Sequence, residues 1–584
     1  MTRNYIGLAS SYHDSAVAIV DSHGEIVFAE STERYLQSKR AINIAPDVLK
    51  RTGDLIREYC EKDAELVMAF SWSDLLHENS KLYAKFVEAA ELGVKRAYGS
   101  IPDFMRENLA SLRFYADSHM RSFDACGSAL EFEARRIAGR RRWDILRRRY
   151  DHHLTHAAAG CFTSAFADAA CAVIDGYGEN GSLAFFQYRQ GELRTLPTNA
   201  QLPNQMPGSL GFFYSKVCDL CGFDSVTGEE WKVMGLAAYG KHDPRLYGLF
   251  RKLVRVDGLT ILPPDNQLAL EQELHELRRL PEDPPLAAAD MAFTAQQVFA
   301  EVLFELLRNL HRLGISENLV LGGGCALNSA ANGAILEHTP FRSLHVCSAP
   351  ADDGNAIGAA LLAYQDDHPD FEPLRYVHSP YLGSRMSQES LARAKRFSAP
   401  HSWQECHGNA PEKAAELLAS GKIIGWIQGR AEFGPRALGN RSILADPRLP
   451  DIKERINSRV KFREEFRPFA PSILHEHGPA YFESYQESPF MERALRFRPE
   501  VMARVPGVVH VDGTGRLQTV KREWNELYWR LVRRFHEITG IPLVLNTSFN
   551  VMGKPIAHSV EDAMAVFHTT GLDALFIEDV LFLK

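Results

Sequence analysis

From residue 151 onward the chain alternates short apolar runs with amphipathic helical stretches, and several of those runs end in Gly or Asp. That alternation calls for a layered α/β architecture, because strands flanked by helices bury both faces of a sheet and leave polar groups at the strand ends. DHHLTHAAAGCFTSAF reads as a helix opening at an acidic N-cap, and CAVIDGYGENGSLAFFQY as a strand, a Gly turn and a second strand. MAFTAQQVFAEVLFELLRNLHRLG is a long amphipathic helix, followed by the strand ENLVLGGG, the helix ALNSAANGAILEH, and strand, loop and helix in LHVCSAPADDGNAIGAALLAY. Upstream, IGLASS and AVAIVDSHGEIVFA form strands around a polar tip, Tyr12-His13-Asp14-Ser15. Residues 46 to 150 carry helical periodicity and end in ARRIAGRRRWDILRRRY, read as a solvated helix face followed by a strand edge. The Pro-, Gly- and charge-rich stretch 366 to 387 reads as a linker, with a second α/β unit from about 388 to 550 and no internal repeat.

Charge narrows the partners. The 584 residues hold 66 basic and 74 acidic side chains, a net charge of −8, the wrong sign for binding nucleic acid through a global positive field. Any anion must be held locally. No window approaches the roughly 18 consecutive apolar residues of a membrane span, and MTRNYIGLASSYHD lacks a signal-peptide core, so a cytoplasmic protein without a membrane partner is expected. The 9 cysteines have no framework spacing, and the single C-x-x-C, Cys218 and Cys221, has no second pair to complete a zinc site.

Three constellations carry chemistry. His152 and His156, at i and i+4, stand on one helix face, and two strand-end acids, Asp175 and Asp352, can converge on them. A His2Asp2 set without thiolate suits a borderline divalent ion such as Fe(II), Mn(II) or Zn(II). Gly322-Gly323-Gly324 ends a strand and leads into a helix, so its amides can approach a phosphate or an adenosine, or else serve tight packing. Arg430, Arg436, Arg441, Lys461, Arg463, Arg467 and Arg516 lie in loop-like segments beside Gly, Pro, Asn and Ser, which is what a phosphate-rich substrate needs.

These motifs together resemble one family, the ATP-dependent O-carbamoyltransferases of natural-product biosynthesis, of the nebramycin synthase, cephem and nodulation-factor type. The resemblance covers nearly the whole chain through YHDSA (12–16), HHLTH (152–156), VIDGYGE (173–179), KVMGLAAYG (232–240), LGGGCALN (321–328), PADDG (350–354), GRAEFGPRALGNRS (429–442), FRPFAPS (466–472) and LNTSFN (545–550). It implies an α/β fold: an actin-like (ASKHA, TsaD-like) domain of residues 1–370 plus 551–584, with an embedded YrdC-like α/β domain of residues 371–550. It further implies that the YrdC-like part makes carbamoyl adenylate from carbamoyl phosphate and ATP with Mg2+. The actin-like part then passes the carbamoyl group to a hydroxyl of a small-molecule acceptor beside bound iron.

Carried onto this chain, the Fe(II) ligands, or those of another divalent ion, are His152, His156, Asp175 and Asp352, with Asp353 as the fallback for the last. The adenylate-forming site uses Arg436, Lys461, Arg467, Arg516 and Ser548, with Arg441 and Asn546 as neighbours, while Gly322 and Gly323 contribute to nucleotide binding. His13 is the transfer-step base or an orienting hydrogen bond. A homodimer is left open. The acceptor pocket falls in 46–150 and 190–290, where no motif identifies the acceptor. Two rival readings share the fold, tRNA threonylcarbamoylation and hydrogenase-maturation carbamoyltransfer; the negative charge argues against the first and the lone C-x-x-C against the second.

Overall fold

The computed structural model describes residues 2–138, 145–198, 208–373, 375–399 and 402–584. Parts of the basic run (139–144) and of the expected acceptor region (199–207) lie outside the described residues. The chain divides into two compact units: one is Met1–Thr32, Arg40–Leu327 and Ile335–His378, the other Glu33–Lys39, Asn328–Ala334 and Ser379–Lys584.

The first unit holds two five-stranded sheets. One has the order β3-β2-β1-β4-β5, from β1 (Arg3–Ala9), β2 (Ala16–Val20), β3 (Ile26–Ser31), β4 (Glu65–Phe70) and β5 (Leu146–Arg149). β1 pairs antiparallel with β2 and parallel with β4. The other sheet has the order β12-β11-β6-β7-β8, from β6 (Asp168–Ile174), β7 (Leu183–Arg189), β8 (Glu192–Thr195), β11 (Asn318–Gly322) and β12 (Ser343–His345). A small hairpin, β9 (Arg255–Asp257) with β10 (Thr260–Leu262), stands apart. In the second sheet β6 again pairs antiparallel with the next strand and parallel with β11, so the two sheets repeat one topology. This duplication is the actin-like architecture. The sequence shows no repeat because strand order survives where residue identity does not.

Helices Thr32–Leu36 (α1), Arg51–Tyr59 (α2), Leu76–Tyr98 (α3), Asp103–Ala125 (α4) and Ser128–Ala138 (α5) fill the segment between β3 and β5. β4 interrupts this stretch, whose periodicity reads as helical throughout. The basic run ends in β5 at the sheet edge, where Arg148 pairs with Asp367 at 2.6 Å and Arg149 with Asp74 at 3.2 Å. α6 (His152–Phe162) opens on Asp151, whose carboxylate caps the Leu154 N–H at 3.0 Å. The helix Asn355–Asp367, rich in Ala, lies against α6 so closely that a Cβ on Gly358 would sit 1.9 Å from the Thr155 carbonyl oxygen. Only glycine allows that approach, and it brings the turn carrying Asp352 up to the histidine helix.

The second unit is built on a nine-stranded mixed sheet, order β13-β21-β20-β14-β15-β19-β16-β18-β17. Its strands are β13 (Trp403–Glu405), β14 (Ile424–Ile427), β15 (Arg441–Ala445), β16 (Ala470–Leu474), β17 (Arg493–Arg496), β18 (Thr514–Val520), β19 (Leu543–Ser548), β20 (Ala574–Ile577) and β21 (Val580–Leu583). The amphipathic helix Glu526–Thr539 buries Tyr528, Leu531, Val532 and Phe535, at helical spacing, in the core with Trp426, Ile443 and Phe576. Each such side chain contributes about 1.5–3 kcal/mol. One expectation is corrected here: residues 551–584 do not return to the first unit. β20 pairs parallel with β14 over Ile424–Ile427, and β21 closes onto β20 and β13, so the apolar C-terminal strands complete the second sheet.

Candidate metal centre and anion site

In the first unit, a helix face, a strand end and a turn converge. His152 and His156 project from one face of α6; Asp175 follows β6; Asp352 sits in the turn after β12. One donor atom from each of the four lies within 4.8 Å of the others, and all four residues are buried. The Asp175 Oδ2 lies 3.5 Å from His152 Nε2 and 3.8 Å from His156 Nε2; the Asp352 Oδ1 lies 3.6 and 3.5 Å from the same atoms. His152 Nε2 is buried without a hydrogen-bond partner among the described residues. Two imidazole nitrogens facing two carboxylate oxygens form a donor set for one divalent ion. Burial alone would lower the His152 pKa, but Asp352 and Asp175 outweigh it and raise it to about 10. Burial likewise opposes ionisation of Asp175, yet the facing imidazoles, His152 first and then His156, hold it down at about 2.

The surroundings explain which acid faces in. Asp353 accepts from the Ser31 hydroxyl at 3.0 Å, whereas its neighbour Asp352 faces the histidines. The Gly324 N–H donates to Asp175 Oδ1 at 3.0 Å, leaving Oδ2 toward the imidazoles. Gly323 adopts φ +85°, where a Cβ would lie 2.3 Å from the Ile174 carbonyl oxygen, and its N–H donates to Pro350 O at 2.9 Å. Gly322 ends β11. The amides of Gly323 and Gly324, read from the sequence as possible nucleotide contacts, are thus engaged in packing the loop and aiming Asp175.

Sequence reading missed three neighbours. Trp72 stacks on His152 with ring centroids 3.8 Å apart, His119 of α4 packs edge-on against Trp72 at 4.6 Å, and the Asn355 amide lies 3.1 Å from His156 Nε2. No spacing rule connects Trp72 or His119 to HHLTH; only folding brings them there. His13 lies at the tip between β1 and β2, its Nδ1 2.8 Å from Asp14 Oδ2, and the Arg40 guanidinium approaches the same oxygen at 3.2 Å. The charge of His13 is among those that lower the Asp352 pKa, which places it in electrostatic reach of the four-residue set.

The second unit gathers cations. Lys461 is 2% exposed, and its ammonium donates to Ser548 Oγ at 3.1 Å, Asn550 Oδ1 at 2.6 Å and the carbonyls of both. Asn550, the last residue of LNTSFN, is a partner the sequence reading did not single out. Burial, followed by Arg463, Arg467 and Lys39, drives the Lys461 pKa well below its usual value. Burial, then Arg436, Arg463 and Arg467, does the same to Arg516 on β18. Burial pushes Arg463 to about 9 and Arg436 to about 10. Arg467 is paired with Glu464 at 3.2 Å. Neither Arg436 nor Arg516 has an acidic partner among the described residues.

Two expected neighbours do other work. Arg441 is fully buried and donates to the carbonyls of Gln428, Asn440, Ser384 and Gly429 at 2.8–3.1 Å, bracing the loop before β15. Asn546 donates to Ala437 O, Ser472 Oγ and Gln518 Oε1 inside the sheet. The C-x-x-C is inert: both thiols are buried, which raises both pKa values, that of Cys221 to about 12.

The family model "Carbamoyltransferase N-terminus" matches residues 4–361 and "Carbamoyltransferase C-terminus" matches 415–584. The chain is 36% identical to nodulation protein NolO of Bradyrhizobium diazoefficiens, over 74% of this chain and 79% of that one. It is 31% identical to uncharacterized protein sll1178 of Synechocystis, over 99% and 96% of the two chains. Among solved structures, HypF of T. kodakarensis aligns with TM-score 0.33 and 12% identity, over 65% of this chain and 49% of that one. The two family models together span both units, and on that ground the chain belongs to the carbamoyltransferase family.

Proposed function

We propose that the protein is an ATP-dependent O-carbamoyltransferase that forms carbamoyl adenylate in its second unit and delivers the carbamoyl group to a hydroxyl of a small molecule in its first. The observation that carries this reading is the separation of charge: an acidic, imidazole-rich donor set in one unit and an under-neutralised cation cluster in the other.

Carbamoyl phosphate and ATP with Mg2+ are polyanions whose approach needs several cations in one place. Arg436, Arg516 and Arg463 are placed to take phosphoryl oxygens, and Ser548 and Asn550 hold the Lys461 ammonium in their midst. With water, carbamoyl phosphate releases inorganic phosphate. The carbamate oxygen attacks the α-phosphorus of ATP, the bond to the β-phosphate breaks, and pyrophosphate leaves. In the first unit, the acceptor oxygen forms the new C–O bond, the adenylate C–O bond breaks, and AMP leaves with the electron pair. His13, oriented by Asp14, takes the hydroxyl proton. His152, His156, Asp175 and Asp352 fit Fe(II) or another divalent ion, which when bound supplies Lewis acidity.

The test is product analysis. Incubation with ATP and carbamoyl phosphate should yield AMP and pyrophosphate, and a panel of hydroxylated natural products should yield a carbamoylated one. ADP as the nucleotide product, or no nucleotide turnover at all, overturns the reading.

A further inference from the structure

At the edge of the cation cluster the ordinary rule of burial is inverted. Lys461 is 2% exposed, whereas the next residue, Phe462, is 54% exposed. The backbone is arranged to do this. Asn457–Lys461 is a single π-helical turn, and Phe462 closes it at φ 51°, ψ 52°, a left-handed conformation that costs a bulky residue energy. The turn sends the ammonium inward to Ser548 and Asn550, and the strained residue after it leaves the ring in solvent. Strain of this kind persists where the surroundings enforce it, and it collects at ligand sites. A second exposed apolar residue is tied by its backbone to the same turn: Met552 is 50% exposed, and its N–H donates to the Lys461 carbonyl at 3.2 Å. Arg463, immediately after Phe462, belongs to the cation cluster, its pKa lowered by burial and by Arg467.

A nucleoside triphosphate has the matching polarity: a flat, weakly hydrated base at one end and concentrated negative charge at the other. We propose that Phe462, with Met552 tied to the same turn, is the base platform of the nucleotide site, the ring stacking on the adenine of ATP while Arg463 and its neighbours take the phosphates. The assignment rests on the adenylate-forming reading of the second unit. It also explains why a phenylalanine is exposed at that point, since an aromatic ring stacks on a base without needing a pocket.

The experiment measures pyrophosphate release against ATP and against carbamoyl phosphate for the parent, Phe462→Ala, Phe462→Gly and Phe462→Trp. An exposed ring is not core, and glycine accepts the left-handed backbone, so the Gly variant guards against misfolding. The KM for ATP should rise about tenfold in the Ala and Gly variants. The KM for carbamoyl phosphate should stay within about twofold in both, and Trp should restore the parent KM for ATP. An unchanged KM for ATP in both Ala and Gly overturns the platform, as does a defect confined to transfer. Should the parent release no pyrophosphate, the adenylation reading falls by itself, and calorimetric titration with ATP decides the platform: weaker binding in Phe462→Ala upholds it, equal binding or none in the parent overturns it.

Discussion

The two sites differ in how they settle their own charge. Around His152 and His156 the protein supplies two carboxylates, and in the metal-free state a proton on His152 offsets part of their charge. Around Lys461 and Arg516, Glu464 faces Arg467 while Arg436 and Arg516 have no acidic partner among the described residues, and the pKa values of Lys461, Arg463, Arg436 and Arg516 all move down. A group of like charges held together without counter-charge raises the free energy of the empty site, and a ligand of opposite sign removes that cost on binding. The first site is therefore poised to exchange a proton for a cation, the second to admit an anion.

Breaking one side of this comparison should leave the other intact. The largest effect is expected from His156→Ala: a four-donor site losing one ligand should lose metal affinity by more than about 100-fold. Elemental analysis after mild dialysis should show it, with pyrophosphate release at the parent rate. Unchanged metal content would make the histidine pair a structural feature of α6.

Lys461→Ala reverses the pattern. Loss of a buried cation-to-phosphate contact costs roughly 2–5 kcal/mol, slowing adenylate formation by about 30-fold or more while metal content stays constant. A quenched-flow assay of pyrophosphate release at the parent rate would remove Lys461 from the site.

The proton predicted on His152 can be counted. Its pKa, near 6.5 unperturbed, is raised to about 10, so in the metal-free protein the His152–carboxylate pairing stabilises the fold fully below about pH 6.5 and loses that contribution as pH rises through about 10. A metal needs the neutral imidazole. At pH 8, adding Zn(II) to chelator-treated protein should release about one proton per ion, and affinity should climb with pH up to about 10. Calorimetry in buffers of different ionisation enthalpy reads the proton count; a value of zero contradicts the charge balance described for this site.

The smallest effect is thermal. Inorganic pyrophosphate at about 100 times its Kd should stabilise the protein by about 2.7 kcal/mol, a few degrees in Tm, and Arg516→Ala should lose most of that increment. An equal rise in parent and variant would place the anion elsewhere.

Local rules made part of this molecule legible. Helical spacing determined that His152 and His156 share a face, and an acidic N-cap determined where their helix begins, because both depend on residues within one turn of each other. Apolar runs ending in Asp marked Asp175 and the PADDG turn, and the density of Arg and Lys beside Gly and Pro marked the cation cluster, although Arg441 and Arg516 stand on strands and Lys461 in a helical turn rather than in loops. What only the tertiary structure decided involves partners far apart in the chain. It selected Asp352 over its neighbour by giving Asp353 to Ser31, brought Trp72 and His119 to HHLTH, and turned Arg441 and Asn546 to bracing their own loop and sheet while Asn550 took hold of Lys461. It also placed the C-terminal strands against β14, since an apolar strand read alone pairs equally well with any open sheet edge, and only the geometry of the assembled sheet selects one.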